Sequence, residues 1–199
     1  MGFVIFMAIG VYLLISFGVV IWAATRAKDG KGAVRRGLLA ALVMFLIPCW
    51  DWIPTVVAHK YYCEKEAGFW VYKTLDQWKV ENPGVMEGLV ANKVSIQRVG
   101  DEDNYTDTQT LNQRFTWLNE RHRPIFLLPV HAWKREIVDD KSGEILARHI
   151  DFSSGAGRDQ LKFWMNIQGC PNGTKNRNAL FSFADDLIKM TDTTQRNIK

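Results

Sequence analysis

The sequence predicts an α+β protein: a two-helix N-terminal transmembrane hairpin, then a small domain of antiparallel sheet with flanking helices. Three observations predict this class. Residues 2–25, GFVIFMAIGVYLLISFGVVIWAAT, carry no charge. A second apolar stretch, GLLAALVMFLIP, begins at Gly37. Beyond residue 58 the clearest element is a β-hairpin, with short helical patterns around it.

The first run matches the roughly 20 residues that a helix needs to span a bilayer. A cleaved signal peptide would place basic residues before the apolar run, whereas here they follow it. Arg26, Lys28, Lys31, Arg35 and Arg36 stand against Asp29 alone, which reads as a basic loop over 26–36. Short basic loops stay on the cytoplasmic side. Both termini and the large domain are then expected outside the cytoplasm, in the periplasm of a Gram-negative cell. From residue 59 onward 20 Lys+Arg meet 19 Asp+Glu, so the overall charge of +4 belongs to that loop. A phosphate-binding surface for nucleic acid is not indicated on the domain.

Residues 37–47 alone are too short to span, and the second helix is expected to run to residue 58 through Pro48, Asp51 and Pro54. Proline is tolerated in such helices, and the helix is expected to be kinked near its exit. Trp50 and Trp52 are the rings expected at a membrane–water boundary. At about 1.5 Å per residue, Asp51 lies roughly 21 Å beyond Gly37, in the outer third of the hydrocarbon layer. Asp51 either caps the kink and reaches interfacial water or faces the other helix or a partner, although neither span offers it a cation. The sequence thus divides into a hairpin over 1–58 and a domain over 59–199.

In the domain, GFWVYKT (68–74) reads as a strand, and Thr74 caps a helix that Pro83 limits to about two turns. NKVSIQRVG (92–100) alternates as a strand does. DEDNYTDTQT (101–110) reads as a loop or strand entry, and residues 111–122 fit either helix or strand. LPVHAWKREIV (128–138) and EILARHIDF (144–152) form a hairpin around DDKSG. LKFWMNI (161–167) is strand-like. NRNALFSFADDLIKM (176–190) is helical, with Leu180, Phe183 or Ala184, Leu187 and Ile188 as its apolar stripe. Of the 8 tryptophans, Trp70, Trp78, Trp117, Trp133 and Trp164 fall in the domain, as core or as a partner-binding patch.

Three cysteines are present. Cys49 lies within the second span as a small apolar residue. Cys63 and Cys170 have polar neighbours and lie in the region expected outside, so a disulfide closing about 107 residues is expected. A metal site is not: there is no CxxC, and His59–Cys63 is the one Cys/His pair at helical spacing. Hydrolase, P-loop, zinc-protease and dinucleotide motifs are missing, and no cofactor is indicated. One polar arrangement stands out. If Val138 pairs with Glu144, Trp133 opposes His149 and His131 opposes Asp151, all on one face.

The stretch IPCWDWIPTVVAHKYYCEKEAGFWVYKTLDQWKVENPGV resembles a segment of uncharacterised small inner-membrane proteins of proteobacteria, some of them carried on prophages or other mobile elements. The likeness extends weakly through LKFWMN. It implies a bacterial host and a membrane location, and no functional residue comes with it. Two functions remain in view: a non-enzymatic, membrane-anchored module that meets a protein partner or envelope structure outside the cytoplasm, or a membrane-anchored hydrolase or metal-binding protein using His131, His149 and Asp151. The lipid bilayer is a partner in both.

Overall fold

The computed structural model describes residues 2–27, 29–90, 95–155 and 166–196, with side chains from Phe6 to Ile188. The chain divides into two compact units, residues 1–53 and 54–199. An α+β arrangement is present, with two apolar helices ahead of a six-stranded antiparallel sheet and its flanking helices.

In the first unit, α1 (Gly2–Thr25) and α2 (Gly30–Cys49) are each long and apolar enough to cross a membrane, with mean hydropathy 2.3 and 1.6. Almost none of either span is buried, unlike the core helix of a soluble domain. The expected loop over 26–36 is shorter. Asp29 accepts a hydrogen bond from the Gly32 N–H and caps α2, so Lys31, Arg35 and Arg36 lie inside the helix. Arg36 Nη1 donates to the Arg26 carbonyl at 2.9 Å, satisfying one of the acceptors left open at the end of α1. Gly37 is buried against α1, and a methyl group there would meet Ala24 Cβ at 3.6 Å, an ordinary van der Waals contact.

The expected helix over 37–58 is two helices. α2 ends at Cys49, and α3 runs from Trp52 to Lys65. The two prolines account for the break. Pro48 has no N–H to give the carbonyl of Met44, one turn back. The Tyr12 hydroxyl donates to that same Met44 carbonyl, so the group that Pro48 orphans is served from α1. Pro54 falls in the first turn of α3, where a missing N–H costs nothing. The turn at Trp50–Asp51 lies between them.

The second unit is built on the sheet β1 (Gly68–Val71), β2 (Ile96–Gly100), β3 (Tyr105–Thr110), β4 (Phe115–His122), β5 (Val130–Asp139) and β6 (Ile145–Ser154), in the order β1-β6-β5-β4-β3-β2. One face carries the larger core. Trp78 of α4 (Leu75–Glu81), Phe115, Trp117 and Ile137 meet Leu180, Ala184 and Leu187 of α5 (Gly173–Arg196). On the other face Val130, Ala132 and Phe152 meet α3, with Tyr62 stacked on Phe152 at 5.0 Å. The strand expected over 161–167 falls largely outside the described residues, as do Trp164 and Lys28.

The hairpin register is a correction. His131 pairs with Ser153, Trp133 with Asp151 and Arg135 with His149. The expected pairing is two residues out, which keeps the face but changes every partner. The turn sets the difference. Asp139 accepts the backbone N–H groups of Lys141 and Ser142 and winds the turn, Gly143 takes φ +73°, and a bulge at Ile137/Val138 absorbs one residue.

Candidate functional site

A cleft of about 640 Å³ opens beside the disulfide in the second unit. α3 brings His59 and Cys63 to it one turn apart. Cys170 arrives on the turn that leads into α5 and is bonded to Cys63, with Cα atoms 5.4 Å apart. The bridge therefore ties the helix on one face of the sheet to the entry of the helix on the other. Asp151 holds that turn: its Oδ1 accepts the Cys170 N–H at 2.8 Å. A Cβ at Gly173 would collide with the same carboxylate, so only glycine fits at the first position of α5. The carboxylate also sits where the positive end of the helix dipole favours it.

His59 is buried, and its Nε2 lies 3.0 Å from the Phe152 carbonyl. A carbonyl only accepts, so Nε2 donates there, and the ring lies against Cys63 with Nε2 3.6 Å and Nδ1 3.8 Å from its Sγ. One ligand atom from each of His59, Cys63 and Cys170 lies within 4.8 Å of the others. In the bridged form the sulfurs are bonded to each other and are not thiolates, so this triad is metal-competent only when reduced. The sequence offers both pairs, His59–Cys63 at helical spacing and Cys63–Cys170 as a bridge, and the fold brings the three residues together.

His131, His149 and Asp151 share a face, on which His131 stands apart while His149 and Asp151 act on each other. His131 is fully buried, accepts from Arg123 Nε at 3.1 Å and lies 3.6 Å from Asp103. Burial, then Arg121 and Arg123, push its pKa down to about 4 against the pull of Asp103. His149 is fully buried with Nδ1 3.3 Å from Arg135 Nη1. Burial, then Arg135, lower it to about 4 as well, against the pull of Asp151 and a hydrogen bond with the Gly173 backbone. Asp151 is engaged with the Cys170 turn. His131 thus answers to Arg123 and Asp103, whereas His149 and Asp151 both meet the start of α5 at Gly173.

The pairings of β2 to β5 create a ladder of arginines and aromatic rings. Arg98 stacks on Tyr105 at 4.0 Å, Arg121 lies 5.9 Å from Tyr105 and 5.0 Å from Trp133, and Arg135 lies 5.4 Å from Trp133. Arg121 is 7% exposed, and its Nε and Nη2 have no hydrogen-bond partner among the described residues. No spacing in the sequence signals this, because its members sit on four strands. Asp139 was equally hidden. It is buried and accepts from Trp78 Nε1 at 2.8 Å and Arg114 Nε at 2.5 Å, as well as from its own turn.

At the end of the first unit, Trp50 and Trp52 are exposed and Asp51 is 2% exposed, which sets aside the reading of Asp51 as open to interfacial water. Arg26, Lys31, Arg35 and Arg36 are exposed around the α1–α2 turn. Comparison with protein-family models, curated proteins and solved structures finds no match to this chain.

Proposed function

We propose that the chain is a membrane-anchored, non-enzymatic module of the bacterial envelope. The two apolar helices hold it in the inner membrane with both termini outside the cytoplasm. Its α+β domain meets a protein partner or envelope structure in the periplasm. The observation that carries this reading is the Cys63–Cys170 bridge, because disulfides persist in oxidising compartments and are rare in the cytosol. The exposed cations around the α1–α2 turn support the orientation. The burial of His131 and His149 beside arginines, and the engagement of Asp151 with the Cys170 turn, support a role other than catalysis by that face. The cleft beside the bridge mixes apolar Ala67 and Ile150 with Lys60, Glu64 and Asn172, a lining suited to a polar segment of a partner.

Alkaline phosphatase fused after Lys199 should be active in living cells, and a cytoplasm-only reporter at the same place should be silent. The reverse pattern removes the topology. A photo-crosslinking residue at Lys60, on the cleft, should give a discrete protein adduct in intact cells, whereas one at Ser142 should not. Equal labelling from both positions removes the interaction role.

A further inference from the structure

We infer that the β4–β5 turn, residues 124–128, is a second membrane contact that dips its tip into the lipid interface. The inference rests on the anchoring proposed above and adds to it a docking surface on the folded domain.

The sequence RPIFLLP contradicts ordinary turn chemistry. Leu128 N–H donates to the Ile125 carbonyl at 3.2 Å, so Phe126 and Leu127 occupy the two tip positions. Tips normally take Gly, Asn, Asp, Pro or Ser. Here Phe126 is 86% exposed and Leu127 is 70% exposed. Pro124 and Pro129 flank the tip and restrict its backbone. Two large apolar side chains held out by a constrained turn gain nothing from water.

The position of the turn selects the occupant. Ala67 precedes Gly68, which pairs with Ile150, and Tyr62 stacks on Phe152. Going back along α3 therefore leads toward the Ser154–Val130 end of the β5–β6 pair. Ala58 and Leu128 pack against the same small core there. That is the end at which the chain enters this unit, directly after two helices able to span a bilayer. Val56 and Val57, in the same part of α3, are also exposed. The acids of the neighbouring β2–β3 turn, Asp101, Glu102 and Asp103, offset Arg121 and Arg123. The attraction is therefore apolar, and it does not require anionic lipid.

The test uses the full chain with Cys49→Ala and its disulfide intact, in phosphatidylcholine vesicles with nitroxide-bearing acyl chains. An environment-sensitive fluorophore is attached singly through Leu127→Cys, Ser142→Cys or Val43→Cys. Emission from position 127 should be blue-shifted and quenched, position 142 should be neither, and position 43 in α2 should be quenched. Quenching at 43 without quenching at 127 overturns the inference and leaves the anchoring standing. Quenching at none of the three overturns both. A blue shift at 127 without lipid quenching assigns the turn to a second copy or a protein partner and overturns the lipid assignment. Equal quenching at 127 and 142 also overturns it, because the contact would then not be specific to this turn.

Discussion

The two ends of the sheet treat buried polarity in different ways. At one end Asp139 gathers donors from α4, from the β3–β4 turn and from its own turn. Burial raises its pKa, but the Arg114 guanidinium, the Trp78 indole and two backbone N–H groups outweigh that and hold it at about 2. At the other end His131 and His149 are buried beside arginines, and His131 Nδ1 has no partner among the described residues. At the first end the Asp139 carboxylate is fully answered and fixes the register, with Asn112 Nδ2 in the neighbouring turn left without a partner among the described residues. The second carries charge that its surroundings only partly answer. Burial alone therefore says little about function, and the count of satisfied partners says more.

Asp139→Ala should give the largest loss. It strands Arg114 and the Trp78 indole in a buried site, which costs about 3–5 kcal/mol. Denaturant unfolding of the detergent-solubilised protein, followed by near-ultraviolet circular dichroism, measures it. A loss no greater than that of His131→Gln would erase the contrast between the two ends. Cys170→Ser should follow at about 2–5 kcal/mol, and reduction of the unsubstituted protein should reproduce most of it. On a non-reducing gel the unsubstituted chain should shift on reduction and the variant should not.

Acid should separate the ends without mutation. The histidine pKa values are lowered from 6.5 to about 4, so the stability tied to their neutral forms is complete above pH 6.5 and is lost as pH falls toward 4. At pH 5 the loss is about 2 kcal/mol for each histidine. Asp139, lowered from 3.8 to about 2, holds its contribution above pH 3.8 and yields only as pH falls through about 2. A protein with His131→Gln and His149→Gln should lose the upper step and keep the lower one. If the unsubstituted protein is flat between pH 7 and 4.5, the histidines are not buried neutral groups. The smallest effect belongs to Thr74→Ala. Thr74 accepts from the Gln77 N–H and caps the helix that delivers Trp78 to Asp139, so its loss costs about 1 kcal/mol.

Local signals in the sequence located what local chemistry decides. Thr74 and Pro83 bracket α4, and the stripe from Leu180 to Ile188 is the buried face of α5. β3 was harder to read because YTDTQT has no apolar face; it is a strand because β2 and β4 pair with it on both sides. The hairpin was legible but its register was not, since the bulge and the Asp139 turn are features of three dimensions. With that slip the expected facing of His131 and Asp151 became Trp133 facing Asp151. Independently of it, the arginine–aromatic ladder arises from the β2–β3, β3–β4 and β4–β5 pairings, which no single strand encodes. Cys63 and Cys170 were readable from their polar surroundings and His59 from its one-turn spacing to Cys63, whereas the convergence of all three needed the helix and the turn to meet.

The disulfide also has a topological meaning. Residues 63 to 170 form a closed covalent ring, and the N-terminal helices are attached to it at Cys63. One proteolytic cut between Glu64 and Gly169 opens the ring but frees nothing: the part beyond the cut stays joined to the N-terminal helices through Cys170. Shedding that part of the chain would take a protease and a reductant together. Wherever proteases are present and reductants are scarce, a nicked copy stays in one piece.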